Sequence, residues 1–225
     1  MPHYVGGDPR DQLAYAGRAL VTAGLVVGSG GNLSARAPGA DTVWVTGSGT
    51  WLDRLDRPDF VAVRVADGTV VGDTGSVGDP VPPTTELALH LATYRARPDV
   101  RAVIHLHPQT ALLLDALGER IRLVTTDHVF YLRRIVRTPF RPPGGVEVAE
   151  LAAQAAADGT NCVLLAHHGC SVLADSVELA HKRALYVEEA ARLTYRALVA
   201  GRLDRLEDCP AAYSAALERG DAVSI

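Results

Sequence analysis

The sequence predicts an α/β chain in which helices flank a mixed or mostly antiparallel sheet, and two observations carry this. Segments with helical spacing of apolar residues alternate with short β-rich runs along the 225 residues. Several of those runs lie too close together to be joined by crossover helices, so neighbouring strands must run antiparallel. With 48% hydrophobic and 21% charged residues, a chain of this length can bury roughly 70–75% of its unfolded surface without disulfide staples. One domain over residues 1–225 is therefore expected.

Residues 9–26 place Leu13, Ala16, Leu20 and Leu25 near helical spacing, and Asp8-Pro9 opens this helix in N-cap and N1 style. The run Gly28-Ser29-Gly30-Gly31 ends it. Thr42–Thr46 and residues 60–65 read as strands, the second alternating with period two. A Gly/Pro-rich stretch over residues 72–83 reads as a long loop. Thr84-Thr85-Glu86 then opens a helix whose stripe of Leu87, Leu91 and Tyr94 runs until Pro98 stops it. Residues 100–106 form a β-rich run, 146–157 a helix, 161–166 a buried strand, 171–174 a second strand, and 177–200 a long helix.

Charge and composition exclude several classes of function. A net charge of −4 offers no broad phosphate-tracking face, so nucleic acid is not expected as a partner. No stretch approaches the ~20 uninterrupted apolar residues of a membrane span, and no basic segment followed by an apolar run opens the chain. Three cysteines, none in a CxxC pair, fit reduced thiols, and a cytoplasmic location is expected. Among 22 basic residues only Lys182 is a lysine, whereas there are eight histidines.

The histidines carry the sharpest signal. In Ile104-His105-Leu106-His107-Pro108 the two imidazoles, at i and i+2 on a strand, share one face about 7 Å apart along the chain. They could converge on one cation, neutral imidazole being a common ligand of zinc and similar ions. A second apolar strand ends in His167-His168-Gly169. Adjacent residues on a strand face opposite ways, so one of these two supplies a third ligand and the other does not. Three protein ligands with an open position is the catalytic arrangement. His3, His90 and His181 lack such context and read as surface or core residues.

Glu86 sits where a helix dipole favours a carboxylate, as a first-turn charge or as a proton shuttle beside a metal. Thr84 and Thr85 could present hydroxyl and backbone donors to an anion. Gly28-Ser29-Gly30-Gly31-Asn32-Leu33-Ser34 and Thr46-Gly47-Ser48-Gly49-Thr50 pair bare backbone with Ser, Thr and Asn donors. Both suit an anion-binding nest, and neither is a P-loop or a dinucleotide fingerprint.

Gly-Gly-Asn32-Leu-Ser34, Thr46-Gly-Ser-Gly49, Pro83-Thr-Thr-Glu86, His105-Leu-His107-Pro108 and His167-His168-Gly169, in this order, resemble the class II aldolase/adducin family over nearly the whole chain. The resemblance implies a three-layer αβα sandwich around a largely antiparallel sheet. It implies His105, His107 and His168 as ligands of a divalent metal, zinc first, with manganese or cobalt as alternatives. Glu86 is implied as the acid/base, and Asn32, Ser48, Gly49, Thr84 and Thr85 as contacts for a substrate phosphate. A family tyrosine downstream of H-x-H lies in a glycine-rich loop. Here the region reads Thr125-Thr-Asp-His128-Val-Phe-Tyr131, without those glycines, so Tyr131 is the matching catalytic candidate and His128 the alternative. A second family tyrosine, in the tail, is matched by Tyr213.

The implied activity is reversible cleavage of a ketose 1-phosphate. Epimerase, dehydratase and oxo-acid phosphate decarboxylase chemistry are same-family alternatives, and an adducin-like interaction module is a non-enzymatic one. A phosphorylated sugar is the implied partner. The implied assembly is a C4 homotetramer with sites between subunits.

Overall fold

A computed structural model of the chain describes residues 4–72 and 81–221. The loop expected over residues 72–83 lies mostly outside the described residues, as does His3.

The first helix, α1 (Pro9–Thr22), starts as the sequence requires, with the Asp8 carboxylate accepting the Arg10 N–H at 2.9 Å and proline at the first position. It ends four residues before the expected boundary. Three antiparallel strands follow: β1 (Asn32–Ala35), β2 (Thr42–Thr46) and β3 (Phe60–Arg64). The helix α2 (Leu87–Ala96) leads into β4 (Ala102–Leu106), which pairs antiparallel with β1, Asn32 standing opposite His105. Next come α3 (Gln109–Ala116), α4 (Thr126–Leu132), β5 (Val136–Thr138) and α5 (Val146–Ala156). The chain closes with the hairpin β6 (Cys162–Leu165) and β7 (Gly169–Ala174), the long α6 (Val177–Val199) and α7 (Ala211–Arg219).

All seven strands join one sheet in the order β3-β2-β1-β4-β7-β6-β5, antiparallel throughout except for the β5–β6 pair. The expected mostly antiparallel sheet is thus observed. So are its three layers, because alternating strand residues feed two separate cores. Ala102, Ile104 and Leu106 of β4 and Cys170, Val172 and Ala174 of β7 pack with α1, α3, α4 and α6. Val103, Val163, Leu173 and the valines of β2 pack on the other face with α2 and α5. Among the described residues no helix is long and apolar enough to cross a membrane.

One buried carboxylate fixes the corner that follows H-x-H. The N-cap of α3 is Pro108, which offers no side-chain acceptor. Glu188, buried on α6, supplies the missing one. It accepts the Thr110 and Ala111 N–H groups at 3.2 Å and the Thr110 hydroxyl at 2.6 Å. Glu188→Ala would strand three donors and is expected to cost about 3 kcal/mol. Thermal unfolding should show this as a Tm lower by roughly 6–12 °C.

Candidate metal centre

Four side chains from three places in the chain converge at the C-terminal end of β4. His105 is the penultimate residue of β4, fully buried, and its Nδ1 lies 3.1 Å from the hydroxyl of Ser171, its cross-strand partner on β7. That contact turns Nε2 toward the centre, the arrangement in which an outer partner fixes the orientation of a ligating imidazole. His107 follows one residue past the strand on the same face, with Nε2 3.3 Å from His105 Nε2.

His168 arrives from the β6–β7 hairpin. His167 and His168 do not lie on a strand, as the apolar run suggests. Both belong to the turn closed by the His168 N–H on the Leu165 carbonyl at 3.0 Å. His167 takes a left-handed φ of 54° in that turn and is exposed, whereas His168 is turned inward. One of the pair enters the centre, as expected, but turn geometry rather than strand alternation selects it. The buried Asp115 accepts the His167 N–H at 2.8 Å and pairs with Arg137, anchoring the turn. Gly169 must stay bare, because a Cβ there would meet Leu106 O at 2.5 Å and His107 Cδ2 at 2.6 Å. Gly169→Ala is expected to displace the turn and weaken divalent-ion binding about tenfold or more, measured by titration with zinc.

Glu86 completes the group. It is the N-cap residue of α2 rather than a first-turn residue, and its carboxylate makes no capping bond. Instead Oε2 lies 3.2 Å from His105 Nε2 and Oε1 lies 3.0 Å from His168 Nε2. The ligand atoms of Glu86, His105, His107 and His168 all fall within 4.8 Å of one another.

The electrostatics suit a cation. Burial pushes the His105 pKa down to about 3 and lowers that of His107 as well, so both are neutral at pH 7 and able to donate a lone pair. Burial alone would raise the Glu86 carboxyl, but His168, His105 and Asn32 outweigh it and hold the group well below the ordinary carboxylate range. Even so, His168 Nδ1 is buried without a hydrogen-bond partner, and Glu86 Oε1 has only His168 Nε2 beside it, at 3.0 Å, so polar atoms crowd this buried pocket without satisfying one another. The 3.3 Å between imidazole nitrogens also matches the separation of about 3.3 Å between tetrahedral ligands with bonds near 2.0–2.1 Å. The donor set therefore fits a divalent ion held by three histidines, with Glu86 beside it.

The centre opens into a cavity of about 470 Å³, whose wall includes all five residues expected to meet a phosphate: Asn32, Ser48, Gly49, Thr84 and Thr85. Gly47, Ser48 and Gly49 leave β2, and Thr84 and Thr85 precede α2. An antiparallel bridge between Gly47 and Pro83 holds the two segments together. Among the described residues no lysine or arginine lines this wall, so an anion here meets hydroxyls, backbone and a helix N-terminus. Asn32 is already engaged, donating to Glu86 Oε2 at 2.9 Å.

The tyrosine candidates lie elsewhere in the chain. Tyr131, on α4, stacks on Tyr186 of α6 with ring centroids 4.5 Å apart. His128 is buried, closes the capping box of α4 with Thr125, and meets Glu189 at 2.5 Å. Tyr213 lies on α7. None of the three lines the cavity of its own chain. His90, read from sequence as a surface or core histidine, is fully buried one turn beyond Glu86 and joined to the centre through Asn32.

Comparison with known proteins agrees with the fold. Residues 11–195 match the family described as class II aldolase and adducin N-terminal domain. An L-fuculose phosphate aldolase of Methanocaldococcus jannaschii is 31% identical over 177 residues, spanning 79% of this chain and 90% of that one. A 3-oxo-tetronate 4-phosphate decarboxylase of Escherichia coli strain K12 is 31% identical over 209 residues, 88% of this chain and 94% of that one. A solved L-fuculose 1-phosphate aldolase superposes with a TM-score of 0.81 at 26% identity, covering 98% of this chain and 99% of the other.

Proposed function

The chain belongs to the class II aldolase and adducin N-terminal domain family, and on that premise we propose a divalent-metal aldolase acting on a ketose 1-phosphate such as L-fuculose 1-phosphate. The products are dihydroxyacetone phosphate and an aldehyde. The observation that carries this reading is the joining, around one cavity, of a three-histidine cluster, a buried carboxylate and a wall of hydroxyls and glycines.

Each part has a chemical task. Breaking the C3–C4 bond of the ketose leaves negative charge on the three-carbon fragment. A divalent ion, zinc in this proposal, held by His105, His107 and His168 supplies the Lewis acidity that stabilises such charge. Glu86, whose pKa is held well below the ordinary carboxylate range, takes and returns the proton at the carbanion carbon. Ser48, Gly49, Thr84, Thr85 and the remaining Asn32 N–H bind the phosphate and fix the reacting end of the sugar over Glu86. The alternative aldolase chemistry, a Schiff base, would need an unprotonated lysine near the substrate. Lys182 lies on the exposed face of α6, and its bond to Glu178 at 2.8 Å raises its pKa. That lysine is held charged and away from the cavity.

Tyr131 reaches such a site only from a neighbouring subunit, so its proposed role as an acid stands together with the proposed homotetramer and sites between subunits. The three unpaired thiols support a reducing, cytoplasmic setting. A second reading, decarboxylation of an oxo-acid phosphate, is favoured by the E. coli relative, which the chain matches over 94% of its length. Both reactions develop the same kind of charge, and the substrate decides between them. Incubation with a panel of ketose 1-phosphates and oxo-acid phosphates should release dihydroxyacetone phosphate from the former. Carbon dioxide released from the latter alone would replace the aldolase reading with the second one.

A further inference from the structure

A buried polar seam runs from the sheet to Glu86 between α2 and β1. Glu86 at the N-cap of α2 and His90 and Tyr94 within it are spaced i, i+4 and i+8 and so share one face. On β1, Asn32 and Ser34 share the opposing face, across from the apolar Leu33 and Ala35. Tyr94 OH lies 2.9 Å from Ser34 Oγ, Ser34 Oγ lies 2.6 Å from His90 Nδ1, and His90 Nε2 lies 2.5 Å from Asn32 Oδ1. Asn32 Nδ2 donates to Glu86 Oε2 at 2.9 Å. His90 is fully buried, and burial lowers its pKa to about 4, so it is neutral and carries one N–H.

The contact at Glu86 sets the sense of every bond. Asn32 donates from Nδ2 to the carboxylate oxygen, so its carbonyl oxygen faces His90. That carbonyl needs a donor, which places the His90 proton on Nε2. Nδ1 then accepts from the Ser34 hydroxyl, whose oxygen accepts from Tyr94. No other assignment satisfies all five groups.

We infer that His90 is a positioning residue for the proton-transferring carboxylate: its Nε2–H locks the Asn32 amide so that N–H, and not C=O, faces Glu86. With the amide reversed, two oxygens would oppose each other and Glu86 would swing out of line with the carbon it serves. This inference rests on the proposed role of Glu86 as the acid/base.

Two variants separate positioning from packing. In His90→Gln the side-chain amide nitrogen can reach the place of Nε2 and keep the donor to Asn32. In His90→Asn the shorter amide reaches only the place of Nδ1 and loses that donor. Both give up the ring. Proton exchange between solvent and C3 of dihydroxyacetone phosphate, followed by NMR without any aldehyde, reads the Glu86 step directly. Expected is a loss of about 10- to 100-fold in exchange rate and kcat for His90→Asn, with KM and bound divalent ion unchanged, and recovery to within a few-fold in His90→Gln. Equal losses in the two variants, or a loss confined to KM or to metal content, would overturn the inference. A wild-type protein that neither exchanges this proton nor cleaves a ketose 1-phosphate would instead overturn the proposed function, and the inference with it.

Discussion

Replacing His107 by alanine is expected to abolish stoichiometric binding of a divalent ion and to lower retro-aldol turnover by on the order of 10³-fold or more. Of the three histidines, His107 is the informative one to remove. His105 is fully buried inside a strand and bound to Ser171, so its loss would disturb the sheet as well as the centre. His107 lies just past the end of β4 and is partly exposed. Its ring packs on the histidines of the cluster, with centroids 5.2 Å from His105 and 5.4 Å from His168. The fold should therefore survive, and an unchanged circular dichroism spectrum beside an emptied centre is the expected pair of results. Metal analysis of the purified variant, finding one ion per chain, would contradict the assignment.

The second large effect is expected at Glu86. Glu86→Gln keeps the size of the side chain and an oxygen that can accept from Asn32, but it removes the group that takes a proton. Turnover should fall by about 10²- to 10⁴-fold, while the three histidines still hold their ion. Steady-state assay together with metal analysis checks both halves. Near-normal turnover would exclude Glu86 as the acid/base, and loss of the ion would make it a ligand instead. The contrast with His107→Ala matters, because one variant should lose the ion and its activity together and the other only the activity.

Much of this arrangement is legible in the sequence, and the exceptions have physical causes. The helix α1 is announced by Asp8-Pro9 and the strands β4 and β6 by their apolar runs, each a local signal with local consequences. By contrast, β1 gives no strand signal because two of its four residues, Asn32 and Ser34, are polar, and their partners lie more than fifty residues away at the N-cap of α2 and within it. The start of α3 is hidden for a similar reason, since its acceptor comes from Glu188 on α6. The N-terminus of α4 carries a capping box, but with histidine at the third position in place of the usual Glu or Gln. At only three residues, β5 is too short for any alternation to show.

The candidate site shows the same division. Ligand types and spacing point to His105, His107 and one of His167 and His168, because strand periodicity is local information. Glu86 is read as the head of a helix, which is right about its place and silent about its direction. Its carboxylate turns away from the helix amides because Asn32 and the imidazoles compete for it. The role of His90 cannot be read locally at all. It becomes visible only when α2 is laid on β1 and the i, i+4, i+8 stripe of one meets the i, i+2 pair of the other. Tyr131 illustrates the opposite limit, since the fold of one chain does not bring it to the cavity.

The proposed function depends on a divalent ion held by His105, His107 and His168 during carbon–carbon cleavage. Its most direct test is to strip the purified protein with a chelator, confirm metal-free protein by elemental analysis, and assay release of dihydroxyacetone phosphate from a ketose 1-phosphate before and after adding back zinc. The predicted result is activity that vanishes with the ion and returns as one equivalent per chain is restored. Full activity in the metal-free protein would contradict it.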